Sequence, residues 1–114
     1  MSGDRRITDV YIWEYQREGI RKSGCLFLCA CYVGGLTMES QVYACFDWAV
    51  RTGKIRASDC YINMRAMILA RQISEHFGTP YQEGCDMQLG NNHWWVTLNG
   101  REVYNSVAWG FEGY

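Results

Sequence analysis

The hydrophobic pattern divides the chain into a helical first part and a β-rich second part. Residues 25–33, CLFLCACYV, are apolar on every side and stop at Gly34-Gly35. So continuous a run predicts a short, fully buried element, which we read as a helix starting at or near Cys25. Thr37 is placed to cap a second helix running to about Thr52, with Glu39 in its first turn and Gly53 ending it. Val42, Cys45, Phe46, Ala49 and Val50 form its inner stripe. A third helix, capped by Ser58 or Asn63, carries Ala66, Leu69, Ala70, Ile73 and Phe77 at helical spacing and is closed by Gly78 and Pro80.

Outside these helices the pattern changes character. The first twenty residues mix TDVYIWEYQ with charges and fit a short strand or a helical turn equally, and RKSG reads as a polar loop. From Tyr81 on, aromatics and β-branched residues alternate with Gly and Asn, which predicts strands. Helices first and strands second give an α+β layout, without repeats or linkers.

Composition narrows this picture. The chain has 114 residues, 48% of them hydrophobic, with five Trp, eight Tyr and four Phe, which predicts one domain with an aromatic core. Its 11 basic and 12 acidic side chains are interspersed, so no electrostatic footprint for nucleic acid or an anionic membrane is visible. No apolar run is long enough to span a bilayer, and MSGDRRITDV lacks the apolar centre of a secretory signal; the expected location is cytoplasmic. Three of the six cysteines crowd into CLFLCAC, too close to pair well with one another, which favours reduced thiols over disulfides.

Among those thiols Cys25 stands apart. A thiol at a helix N-terminus faces the positive end of the peptide dipoles and unpaired N–H groups, which stabilise a thiolate and can hold a developing oxyanion. Gly24 before it allows a close approach of backbone to substrate. Cys29, Cys31 and Cys45 fall inside apolar helices, whereas Cys60 and Cys85 fall in loops. A thiol nucleophile needs a base, and the base needs an orienting group. Of the two histidines, His76 suits the C-terminal dipole of the third helix, whereas His93 opens the strand HWWVTL after GNN. The aromatic pair Trp94 and Trp95 points to both faces of that strand, one ring toward the core and the other free to wall a cleft.

The hairpin NNHWWVTLNGREVYNS, residues 91–106, supplies a geometric condition. A two-residue turn at Asn99-Gly100 pairs Leu98 with Arg101 and His93 with Ser106, leaving Asn105 on the other face. A three-residue loop, Leu98-Asn99-Gly100, instead pairs Thr97 with Arg101 and sets His93 opposite Asn105. Catalysis by this pair therefore predicts the three-residue loop.

With Cys25 in SGC, His93 in NHWWV and Asn105 in YNSVAW, in that order, the chain resembles the papain-like cysteine peptidases. Its size and histidine strand look more like the small bacterial domains that trim double-glycine leader peptides, and like small papain-like proteins of phages and plasmids. The resemblance implies a papain-like fold, a helical half packed on an antiparallel sheet, with Cys25, His93 and Asn105 as a catalytic triad. It implies no cofactor and no metal, and peptide or protein substrates, including leader peptides and the stem peptides of peptidoglycan. The chain departs from the pattern in four places. Trp109 stands three residues after Ser106 rather than next to it, and leader peptidases carry aspartate where this chain has Asn105. The oxyanion-hole glutamine expected six residues before the cysteine is Gly19, leaving Gln16 as the nearest candidate. Only 68 residues separate Cys25 from His93, against about 130–150 in papain.

Three alternatives compete. Cys25, Cys29, Cys31, Cys85 and His93 supply ligands for zinc, but C-x3-C-x-C within an apolar run does not turn three sulfurs toward one ion. Helix, GKIRASD turn, helix and hairpin mimic a winged helix, with Arg51, Lys54, Arg56, Arg65 and Arg71 as its charge. The third keeps the papain-like fold without chemistry, as a binding protein or immunity-type factor of a mobile element.

Overall fold

The computed structural model describes residues 3–107. Among them the chain forms four α-helices followed by one three-stranded antiparallel sheet: α1 (Glu18–Ser23), α2 (Cys25–Val33), α3 (Glu39–Arg51), α4 (Ala66–Phe77), β1 (Cys85–Gly90), β2 (His93–Leu98) and β3 (Arg101–Tyr104). The α+β class follows directly. The strand order is β1-β2-β3, and no described helix is long and apolar enough to cross a membrane.

The buried run from Cys25 is a helix with the expected limits. Phe27, Leu28, Cys29, Ala30, Cys31 and Val33 are all buried because α2 is enclosed between α4 on one side and β2 on another. A helix covered all round cannot be amphipathic, which is why its sequence shows no polar stripe. The inner faces of α3 and α4 also match the expected stripes, with Val42, Cys45, Phe46 and Ala49 buried on the first and Leu69, Ala70 and Ile73 on the second.

The caps differ from expectation. Thr37 does not cap α3; the Gln41 side chain folds back, its Oε1 accepting the N–H groups of Thr37 at 2.7 Å and Met38 at 2.9 Å. Neither Ser58 nor Asn63 caps α4, whose N-cap is Arg65 without a side-chain bond. Asn63 instead belongs to the preceding turn, where its backbone N–H meets Lys54 O at 2.9 Å. Gly78 closes α4 in the left-handed conformation at φ 66°, and His76 in the last turn stacks on Trp48 at 4.5 Å.

The structure decides two segments: one that the pattern left open between a short strand and a helical turn takes the helical turn, and one that it read as a loop is helical. The N-terminal stretch makes two single 3-10 turns, Ile7–Asp9 and Ile12–Glu14, which drive Ile7 and Ile12 into the core. The stretch read as a polar loop, RKSG, is instead the end of α1 and its C-cap Gly24, in a helix too short to show periodicity. Gly19 is required there, since a Cβ would lie 2.1 Å from the carbonyl oxygen of Ala57. Gly24 ends α1 and begins α2, its N–H bonding Ile20 O and its carbonyl accepting from Leu28 N–H. A Cβ on Gly24 would meet Ile20 Cα at 2.6 Å. Packing at this junction is therefore by itself sufficient to require the glycine.

Candidate active site

Cys25 is the first residue of α2, and no side chain caps that helix. It is half-buried, while Cys29, Cys31, Cys45, Cys60 and Cys85 are buried. Burial pushes the thiols of Cys29, Cys31 and Cys85 up, and that of Cys60 up to about 12, with the charge of Asp59 adding to the effect. Each of these thiols stays protonated at neutral pH. Cys31 and Cys45 touch at 3.9 Å in the core. Cys85 lies in β1 rather than in a loop, and Cys60 lines the same cleft as Cys25.

The second element is β2, which packs on α2 and opens with His93, only 3% exposed. His93 Nε2 and Asn105 Oδ1 are 2.6 Å apart. The direction of this bond can be assigned from its surroundings. Asn105 Oδ1 also accepts the Val107 backbone N–H at 3.1 Å, while Asn105 Nδ2 donates to Glu102 Oε1 at 3.3 Å. The oxygen therefore faces the ring, Nε2 must carry the proton it donates, and in the neutral imidazole Nδ1 is the basic nitrogen. Asn105 is oriented from three sides and in turn sets the tautomer of His93.

The hairpin reaches this pairing by a route different from the one expected. Leu98 pairs with Arg101 and Thr97 with Glu102, so the turn is the two-residue Asn99-Gly100 form and the expected three-residue loop is absent. Both residues have positive φ, 53° and 78°, as a type I′ turn requires. Val96, however, pairs with Tyr104, which leaves Val103 as an extra residue in β3. This bulge shifts the remainder of β3 by one position and turns Asn105 onto the face of His93. The one-residue correction is made inside the strand instead of at its end.

Cys25 opens onto a cleft of about 930 Å³. Leu26, Ile62, Met64 and Trp94 make its apolar wall, and Lys22, Asp59, Asn91 and Asn92 add polar groups. Asn91 and Asn92 immediately precede His93, so the turn leading into β2 forms part of the wall. Trp94 thus walls the cleft, and both Trp94 and Trp95 are half-buried. Arg56 holds the Asp59 carboxylate down to about 2 through paired hydrogen bonds.

Gln16 lies elsewhere, lining a second hollow beside Arg5, Glu14 and Tyr43, with its backbone N–H bonded to Tyr43 Oη. Gly19, six residues before Cys25, packs against Ala57 and has no room for a side chain. Trp109 lies outside the described residues. Among those residues, no group of three or more His, Cys, Asp or Glu side chains is arranged to hold a metal ion. Several cations of the winged-helix alternative are engaged internally: Arg56 with Asp59 and the Tyr61 ring, Lys54 over Trp48, and Arg71 over Tyr81.

Sequence reasoning missed the cleft wall formed by residues 59–64 and by the Asn91-Asn92 turn. Two consecutive asparagines after a glycine are a hairpin signal and could have located the second turn. The arrival of residues 59–64 beside Cys25 has no local signature. No protein-family profile, curated protein or solved structure matches the chain.

Proposed function

We propose that the chain is a cysteine peptidase of papain-like type that hydrolyses an amide bond through Cys25, His93 and Asn105. The observation that carries the reading is the 2.6 Å contact between His93 Nε2 and Asn105 Oδ1, with the amide oxygen fixed by the Val107 N–H. An orienting group that sets which ring nitrogen is basic is what a thiol–imidazole pair requires. In the reaction, His93 Nδ1 takes the Cys25 proton, the sulfur attacks the carbonyl carbon, and the proton is returned to the leaving amine. Water then attacks the thioester, His93 again serving as base, and Cys25 is released. Backbone N–H groups at the start of α2, Cys25 included, hold the oxyanion. The substrates are peptides or proteins, with leader peptides and peptidoglycan stem peptides as the two specific candidates, and the resemblance to phage and plasmid proteins favours the second.

One observation favours a second reading, a papain-like binding protein or immunity-type factor without catalysis: Gly19 stands where papain carries its oxyanion glutamine, and Ala57 blocks any replacement. Iodoacetamide labelling with mass-spectrometric mapping separates the two. Under the catalytic reading Cys25 is alkylated well before the other five thiols and loses that lead in His93→Ala; equal reactivity of Cys25 in both proteins removes the nucleophile assignment.

A further inference from the structure

The two edges of the sheet are built differently. At one edge β3 is four residues long, is bulged at Val103 and carries the exposed charges Arg101 and Glu102. Short length, a bulge and exposed charge are the devices by which edge strands avoid pairing with other chains. At the other edge β1 keeps one unbroken register with β2 over all six of its residues. It contains no proline, lysine or arginine, and Asp86 is its single charge. Leu89 on this strand is 57% exposed.

The ladder fixes which backbone groups are open. Gly90 and His93 close the two-residue turn as a hydrogen-bonded pair, so Gly90, Gln88 and Asp86 direct their N–H and C=O groups to β2. Cys85, Met87 and Leu89 direct theirs away from it. The Cys85 N–H is taken by Gln82 O at 3.4 Å, whereas among the described residues no backbone group meets Met87 or Leu89 from the open side. The edge is separate from the cleft of Cys25, whose lining includes no residue of β1.

We propose that β1 is a self-association edge, on which a second copy of this chain lays its own β1 antiparallel, joining the three strands of each copy into one continuous sheet. The strand is self-complementary in one register. A two-fold axis at Asp86 sets two carboxylates face to face, one at Met87 requires the engaged N–H of Cys85, and one at Leu89 runs off the strand into the Asn91-Asn92 turn. An axis at Gln88 avoids all three. Met87 of each copy then lies opposite Leu89 of the other, and each such pair exchanges both of its N–H···O=C bonds. Their side chains cover one another on the face that Met87 and Leu89 share with Val96 and Trp94. Asp86 stands opposite Gly90 of the second copy, which keeps the two carboxylates roughly 13 Å apart along the strands, beyond the screening length at physiological salt.

Sedimentation equilibrium of the full chain tests the proposal. The weight-average mass is expected to rise with concentration toward twice that of one chain. Leu89→Lys, at an exposed position, is expected to keep the thermal midpoint and to weaken self-association by about tenfold or more. Gln88→Cys sets the new thiols opposite one another in a non-hydrogen-bonded pair, where side chains approach most closely. Diamide is expected to convert this variant to a covalent dimer on a non-reducing gel. Asp86→Cys, facing Gly90 of the second copy, is expected to give no more covalent dimer than the wild type, whose own six thiols set the background. A wild type that keeps the mass of one chain at every concentration overturns the proposal and leaves the edge to a different occupant. Undiminished association of Leu89→Lys overturns the assignment to β1, and equal cross-linking of Asp86→Cys and Gln88→Cys overturns the register.

Discussion

His93 and Asn105 meet at 2.6 Å across a hairpin whose two-residue turn, continued as a regular ladder, would put them on opposite faces. The extra residue Val103 in β3 reverses the alternation between the turn and Asn105, and the Val107 N–H fixes which end of the carboxamide the imidazole sees. A bulge beside a buried histidine is thus the element that makes this pair possible.

Removing the Asn105 acceptor leaves the buried Nε2–H of His93 and the Val107 N–H without that partner. Asn105→Ala is expected to lose about 1–3 kcal/mol in urea denaturation and to slow alkylation of Cys25. Asn105→Asp keeps an acceptor for both N–H groups and is expected to recover most of the stability that Asn105→Ala loses. Urea midpoints and Cys25 alkylation rates of the two variants check both outcomes.

The turn assignment has its own signature. With both Asn99 and Gly100 at positive φ, Asn99→Gly is expected to be neutral or stabilising, whereas Gly100→Ala should cost about 1 kcal/mol. A three-residue loop would place only Gly100 at positive φ and would make Asn99→Gly destabilising. Denaturant midpoints of the two variants decide between the turns.

Gly19 and Gln16 give a contrasting pair. Introducing a glutamine with Gly19→Gln forces a Cβ to within 2.1 Å of the Ala57 carbonyl oxygen, and is expected to cost about 3 kcal/mol or more, because a backbone atom must move. Gln16→Ala, in the separate hollow, should leave Cys25 alkylation unchanged. Loss of Cys25 reactivity in Gln16→Ala would return that side chain to the oxyanion hole.

The buried thiols make stability fall with rising pH on the alkaline side. Cys60 is pushed up to about 12, and Cys29, Cys31 and Cys85 are also raised. Above the ordinary thiol pKa of about 8.5 the unfolded chain loses these protons while the folded chain keeps them. Stability present below that pH is therefore lost as pH rises toward the folded values, with each thiol contributing up to about 1.4 kcal/mol per pH unit. Cys60→Ala should flatten the fall of unfolding free energy with pH between about 9 and 11. An identical slope in variant and wild type would contradict the assigned burial.

Much of the fold was legible because it rests on local periodicity. The limits of α2, the inner stripes of α3 and α4, and the Gly78 stop are written in residue types whose preferences act within a turn or two of helix. The caps were less legible. Thr37, Ser58 and Asn63 all suit a cap, but the selection of Gln41 and Arg65 depended on how the chain entered each helix. Helix α1 escaped notice because six residues cannot establish a period and Gly19 answers to Ala57, 38 positions away.

The candidate site divides along the same line. By itself the sequence determined that Cys25 opens a buried helix, that His93 opens a strand, and that Asn99-Gly100 makes a turn, since each depends on neighbours in the chain. Only the tertiary structure decided that Val103 is extruded to bring Asn105 to His93, that Gln16 lies outside the cleft, and that residues 59–64 and the Asn91-Asn92 turn form its walls. Those outcomes depend on packing between segments far apart in sequence, where a shift of one residue exchanges the faces of a strand and no local preference records the choice.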